Sequence, residues 1–321
     1  MLLDKNPAEL HAPVLRDRCV ELLAPALSEA GSVFVDGTLG MGGHSEAVLE
    51  ACPNAKLVAF DRDRDAISLA ARRLERFGDR VNLIHAVYDE LDERLDELGI
   101  DEIHGALFDL GVSSLQLDEA ERGFSYARNA PLDMRMDQSG GETAAELIAR
   151  LCEAELRDLF YRYGDEKLAP RYASHICKAR DLAPITTTGQ LVEILQQATP
   201  AARRDAGHPA KRVFQALRIA VNGELEALES AIPQALDRLA NGGRIVIESY
   251  QSLEDRFVKR ELQRRSTSSA PRELPMELPE HQPEFALLVR GAERASDEEA
   301  ERNPRAIPVR LRAAERIRRH A

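Results

Sequence analysis

The sequence predicts an α/β fold: a mainly parallel, Rossmann-like sheet interrupted by an inserted all-helical domain. Three observations carry this. Strand-like and helix-like segments alternate up to Asp109, a long helix-rich stretch without strand character follows, and strand character returns after Asn241. With 321 residues the chain has room for about two domains, or for one domain with a large insertion. The expected division is a discontinuous domain of residues 1–111 and 215–321 around a helical domain of residues 112–214.

The elements follow in order. Val33-Phe34-Val35 ends in Asp36 and a glycine loop, then helix-like Ser45 to Ala51. Leu57-Val58-Ala59-Phe60 ends in Asp61, and Ile67, Ala70, Ala71 and Leu74 recur at helical spacing. Val81 to Ile84 reads as a third strand and Ala106-Leu107-Phe108, ending in Asp109, as a fourth. Acidic residues thus recur at strand ends. Gly111 to Gly141 shows no sustained period and reads as a long loop. Thr143 with Glu146 makes a capping box, and Leu156, Leu159, Phe160 and Tyr163 form a helical stripe stopped by Gly164. Thr187 with Gln190 marks another helix start, and His208-Pro209 the next boundary. Val213 to Leu239 reads as helix, Arg244 to Ile247 as a strand behind the Asn241-Gly242-Gly243 turn, and Phe285 to Val289 as the last strand. Ser266 to Pro283, rich in serine and proline, reads as an excursion from the fold.

Composition excludes several function classes. No run approaches the ~18 apolar residues of a membrane span, and the start of the chain lacks a basic region followed by an apolar one. Both place the protein in the cytoplasm with no membrane partner. Cys19, Cys52, Cys152 and Cys177 lie far apart, so neither a disulfide framework nor a zinc site is expected, and no metal is called for. A net charge of -12 argues against a nucleic-acid ligand, yet the charge is unevenly spread. Seven arginines from Arg302 onward face one carboxylate, Glu315, and five basic residues from Arg256 to Arg265 face one, Glu261. Such runs are either solvated faces or phosphate contacts.

The stretch Asp36-Gly-Thr-Leu-Gly-Met-Gly-Gly-His44 carries the most chemistry. Its glycines allow a sharp turn and close approach of a ligand to the backbone. Asp61, 25 residues on, stands where a carboxylate accepts both hydroxyls of an adenosine ribose. Gly40-x-Gly42-x-x-Ser45 comes near the dinucleotide fingerprint, so a nicotinamide oxidoreductase is one reading. Asp36 favours another. A carboxylate there suits the cationic ammonium of a methionine moiety better than a pyrophosphate, and with Asp61 and Asp109 it favours a cofactor with a positive tail over NAD. His44 either touches the cofactor or satisfies local backbone groups. No Gly-x-Ser-x-Gly motif supports a hydrolase.

Motifs along nearly the whole chain resemble the bacterial 16S rRNA (cytosine-N(4))-methyltransferases, the RsmH or MraW family. They include His11-x-Pro-Val-Leu15, the Asp36 to His44 loop, Phe60-Asp-Arg-Asp63, Asp109-Leu-Gly-Val-Ser-Ser114, Gln116-Leu-Asp118, Glu121 to Ser125, and Pro131-Leu-Asp-Met-Arg-Met-Asp137. Tyr163 to Glu166, His208-Pro-Ala210, Phe214 to Ile219, Ser252-Leu-Glu-Asp-Arg256 and Asn303-Pro-Arg305 follow in family order. The resemblance implies an S-adenosylmethionine-dependent methyltransferase domain with an inserted helical domain for substrate recognition. It implies methylation of the exocyclic amine of one cytosine in the decoding region of the small ribosomal subunit. By position the family's cofactor contacts fall on Gly42, Gly43, His44, Asp61, Tyr88, Asp109 and Gln116. Without the resemblance, Tyr88 reads as packing at a strand end and Gln116 as a solvated loop amide.

Three departures stand out: Leu115 in place of a proline, Tyr250-Gln251 in place of Phe-His, and Ile307-Pro308 within a short Arg-Ser segment. Gln251 supports a rival reading, a non-catalytic RNA-binding assembly protein that keeps the cofactor fold. For catalysis the amine needs an acceptor for its N–H, and Asp109 is the candidate. Gly111 to Asp137 is expected to line the base pocket, with Asp133, Arg135 and Asp137 either clasping the loop or touching substrate. Both basic clusters would then contact phosphates.

Overall fold

The computed structural model describes residues 13–201, 208–271 and 278–319. His11 of the first motif and part of the Ser266 to Pro283 excursion lie outside them. The chain opens α1 (Arg16–Leu23), β1 (Val33–Asp36), α2 (Gly43–Ala51), β2 (Lys56–Asp61), α3 (Arg64–Leu74), β3 (Val81–His85), α4 (Leu91–Glu97) and β4 (Ile103–Asp109). Six helices follow: α5 (Ser114–Asp118), α6 (Ala144–Arg150), α7 (Glu153–Gly164), α8 (Ala169–Arg180), α9 (Thr188–Ala198) and α10 (Ala210–Asn222). The rest is α11 (Glu224–Arg238), β5 (Leu239–Ser249), α12 (Ser252–Arg265), β6 (Phe285–Leu287), α13 (Asp297–Arg302) and β7 (Arg310–Arg316).

Two compact units emerge, Met1–Gly111 with Leu225–Ala321, and Val112–Glu224. The second return point therefore lies past 214. The segment read as one helix from Val213 is two, because Gly223 adopts a left-handed backbone (φ +58°) that ends α10. Val213, Phe214 and Leu217 of α10 are buried with Phe160 of α7 and Tyr172 of α8 in the core of the helical unit. The caps act as the sequence suggests: Thr143 Oγ1 accepts from Glu146 N at 3.2 Å, and Thr187 Oγ1 from Gln190 N at 3.3 Å.

Among the described residues, the larger unit has seven strands in the order β3-β2-β1-β4-β5-β7-β6. Strands β1 to β5 run parallel to one another, whereas β7 is antiparallel to both β5 and β6. Both faces are buried, as continuous apolar strands require. Phe34, Leu57, Ala59, Leu107 and Val246 face one core; Val35, Phe60, Ala106, Phe108, Ile245 and Ile247 face the other. The chain winds outward from β1 through β2 to β3, then returns to the other side of β1 with β4. Ligands gather at such a switch point, outside the carboxyl ends of the strands.

Strand β7 corrects the sequence reading, which ended the sheet at Phe285 to Val289. Arg310-Leu-Arg-Ala-Ala-Glu-Arg316 has too many charges to look like an inner strand, yet Leu311, Ala313 and Ala314 are buried between β5 and β6. Most donors of its arginines are satisfied within the fold, Arg316 Nε being buried without a partner. Arg310 Nη1 and Arg312 Nε each donate to the buried Asp255 carboxylate at 2.8 Å, and Arg312 Nη1 donates to Gly291 O at 2.7 Å. Arg316, itself buried, donates to Leu236 O at 2.6 Å and lies over the Phe285 ring. Arg319 pairs with Glu102, and Arg265 with Asp237 and Glu284. Most arginines of the terminal cluster therefore have partners inside the fold, as do Arg264 and Arg265 of the other. Arg256, Lys259 and Arg260, along α12, do remain exposed.

Candidate active site

Because side chains alternate along a strand, the acidic strand ends share one face of the sheet. Asp36 follows Phe34, Asp61 follows Ala59, Asp109 follows Leu107 and Glu248 follows Val246, each two residues beyond a side chain of the same core. Register sets β1, β2, β4 and β5 level there, with Asp36 beside Ala59 and Leu107, and Asp109 beside Glu248. Helices α1 and α2 cover this face. Cys19 and His44 are buried on it.

The loop after β1 is tied to both neighbours of that strand. Leu39 N donates to Phe60 O at 2.9 Å, Gly37 N to Leu107 O at 2.9 Å, and Asp109 N to Thr38 Oγ1 at 2.6 Å. Gly37 lies so close to Phe108 that a Cβ would stand 2.3 Å from the ring. Gly42 has φ +76° at the start of α2, a conformation glycine adopts without strain.

Asp36 is buried, and its oxygens accept from Ser45 Oγ at 2.6 Å and Thr38 N at 3.1 Å. Burial raises its pKa above the ordinary aspartate range. Its first role is thus to brace the loop, and any ammonium contact uses lone pairs left over. Asp61 is the better-presented acid. Oδ2 accepts from Gly40 N and Oδ1 from Asp63 N, both at 2.8 Å, which fixes the carboxylate and leaves one lone pair on each oxygen. That is the pattern a ribose diol needs. Burial pushes the pKa of Asp61 up to about 6.

His44 Nε2 donates to Val14 O at 2.9 Å, since a carbonyl only accepts, and Nδ1 lies 3.9 Å from Asp109 Oδ2. The backbone reading of His44 is thus met by one nitrogen, while the other faces the acids. Tyr88, after β3, packs edge-on against Phe108 with ring centroids 5.8 Å apart. Gly42, Gly43, His44, Asp61, Tyr88 and Asp109 all belong to the sheet unit. Gln116 belongs to the helical unit. It is buried, not a solvated amide, and closes a capping box with Ser113 at the start of α5. Within the stretch read as loop, Asp133 and Arg135 form a 2.7 Å ion pair around Met134 (φ +63°), the clasp arrangement.

Sequence reasoning missed Glu248, which is fully buried beside Asp109. It directly follows the run Arg244 to Ile247 read as strand, the same position that singled out Asp36, Asp61 and Asp109, and it was passed over. Its Oε1 accepts from Cys19 Sγ at 3.2 Å and Oε2 from Tyr250 OH at 3.4 Å. Cys19, His44 and Glu248 have ligand atoms all within 4.8 Å of one another, close enough to hold a metal ion. Gln251 has a structural task as the N-cap of α12, where its Nε2 donates to Glu254 Oε1 at 2.8 Å.

Known proteins similar to this chain decide its family. The model of the MraW methylase family matches residues 8–317. The chain belongs to the MraW methylase family. The Ribosomal RNA small subunit methyltransferase H of Clavibacter michiganensis subsp. michiganensis is 66% identical over 311 residues, covering 97% of this chain and 98% of that protein. That of Thermobifida fusca is 55% identical over 314 residues, covering 98% and 95%. Among solved structures, SMU.1697c from Streptococcus mutans, a putative methyltransferase in complex with SAH, aligns over 97% of this chain and 98% of its own at 14% identity and TM-score 0.42. The family drawn from the motifs is thus the right one. Among the described residues, no helix of this MraW-family methylase is long and apolar enough to cross a membrane.

Proposed function

We propose that this chain transfers the methyl group of S-adenosylmethionine to the exocyclic N4 amine of a cytosine in the decoding region of 16S rRNA, within the small ribosomal subunit. The observation that carries the reading is the row of carboxylates at the switch point of a methylase-family sheet. A donor with a cationic sulfonium and ammonium fits that row, whereas the pyrophosphate of a nicotinamide cofactor would face repulsion. Gly42, Gly43 and His44 border the donor, Asp61 takes its ribose hydroxyls, and Tyr88 and Gln116 complete its surroundings. The helical unit recognises the RNA, and Gly111 to Asp137 lines the pocket for the extruded base.

S-adenosylmethionine supplies an already activated methyl group, so the protein's part is to hold donor and acceptor in line and accept a proton. Cytosine's amine is a weak nucleophile because its lone pair is delocalised into the ring. Asp109 accepts one N–H, which localises the pair and stabilises the positive charge that develops on nitrogen. The likeness to two small-subunit rRNA methyltransferases at 55% and 66% identity supports the substrate.

The test is transfer of labelled methyl to small subunits that lack the modification, followed by mass analysis of nucleosides. N4-methylcytidine in the decoding region is the expected product. Absence of transfer with correctly folded protein would support the non-catalytic reading instead.

A further inference from the structure

The Asp109 and Glu248 carboxylates stand side by side at the ends of β4 and β5, but their surroundings differ sharply. Asp109's side chain keeps 30% of its exposure, at the rim. Glu248 keeps none. The groups facing Glu248 are Cys19 from α1, His44 from α2, Asp109 from β4, Tyr250 just beyond β5 and, across the sheet from β7, the apolar Leu311. Asp36 on β1 adds negative charge beside Cys19. No lysine or arginine among the described residues is paired with Glu248.

We propose that Glu248 is a neutral carboxylic acid that donates its proton toward Asp109 and thereby positions the Asp109 carboxylate, with its negative charge, for the target amine. A buried carboxylate without a cation costs several kcal/mol to ionise, so the proton stays where solvent is absent. Cys19 donates to Oε1 of Glu248 and the Tyr250 hydroxyl stands within reach of both carboxyls, so the O–H of Glu248 points to Asp109, the one anionic acceptor that it bonds. Burial, then the Asp109 charge, push the pKa of Glu248 well up. Two adjacent acids in unlike environments divide into a donor and an acceptor of protons.

The proposal deepens the methyltransferase reading and rests on it for the chemical step. There, the nitrogen–carbon bond forms as the carbon–sulfur bond breaks with its electron pair going to sulfur, and the released N–H proton moves to Asp109. From the rim it passes to water. Glu248 keeps its own proton throughout and acts only through Asp109, as a positioning residue.

The first measurement needs no turnover. Infrared spectra of the wild-type protein, labelled with 13C at glutamate carboxyls, should show the carbonyl stretch of a neutral acid at pH 7 to 8, absent in Glu248→Gln. The second follows methyl transfer against pH. Glu248→Gln keeps a neutral donor and should retain most of kcat. Glu248→Leu should lose about tenfold or more in kcat and move the acid limb up by about one pH unit, with KM for S-adenosylmethionine little changed. No neutral-acid band in the wild type would overturn the proposal, as would a folded Glu248→Leu protein with wild-type kcat and acid limb. So would stoichiometric zinc in purified protein that is lost on Cys19→Ser, since Glu248 would then be an anionic ligand. If no RNA is methylated yet the band is present, the methyltransferase reading fails and the protonation of Glu248 stands.

Discussion

The arginine-rich end of the chain and the acidic rim of the sheet are both dense in charge, but only one of them is balanced. Around β7, Arg310 and Arg312 meet Asp255, Arg319 meets Glu102 and Arg316 caps a helix carbonyl. At the rim, Asp36 and Asp61 are braced by hydroxyl and amide donors rather than by a guanidinium or ammonium. Charge matched inside the fold is architecture. Charge left unmatched at a switch point is ready for a cationic ligand.

The contrast can be broken at either end. The largest effect is expected at Asp109, where Asp109→Asn should lower methyl transfer by at least about 100-fold, the scale of losing one charge-stabilising group in an active site. Near-normal turnover by that variant would remove Asp109 from the chemistry. At the other end, Asp255→Ala leaves two guanidinium groups facing a buried gap and should cost about 3 kcal/mol or more in urea unfolding. S-adenosylmethionine affinity, measured on the folded variant, should stay near wild type. A large drop in affinity with little loss of stability would reverse the roles assigned to the two regions.

A third prediction uses pH. Asp61 has its pKa raised from 3.8 to about 6 by burial, so the folded protein binds its proton more tightly than the unfolded chain. Stability without ligand should therefore fall as pH rises through this interval, and Asp61→Asn should flatten that decline. The donor's ribose needs the anion, so affinity should weaken by up to about tenfold per pH unit below 6, a trend visible by calorimetry. An affinity that is flat from pH 7 to 5 would exclude Asp61 as the ribose acceptor. The smallest effect belongs to neither region: Thr143→Ala removes the α6 cap and should cost about 1 kcal/mol by denaturant titration, with donor affinity unchanged.

The parallel sheet was legible because its strands are apolar runs, most of them ending in an acid, and the helices because Thr143 and Thr187 announce their starts. β7 was hidden because alternate arginines, whose charged ends pair with Asp255, disguise an inner strand as a basic tail. The rim acids Asp36, Asp61 and Asp109 could be read from position after a strand. Glu248 offers the same signal after Ile247, but its pairing with Asp109 arises from register across a crossover of more than a hundred residues, and no local pattern encodes that. Gln116 was misjudged for a related reason: a capping side chain in a short helix looks like any polar loop residue until the helix is seen.

The most direct test of the central claim is calorimetric titration of S-adenosylmethionine and of NAD into the wild-type protein and into Asp61→Ala. Saturable binding of S-adenosylmethionine at one site, weakened by the substitution about tenfold or more, with no heat from NAD, is the predicted result. Binding of NAD, or S-adenosylmethionine affinity indifferent to loss of the Asp61 carboxylate, would contradict it.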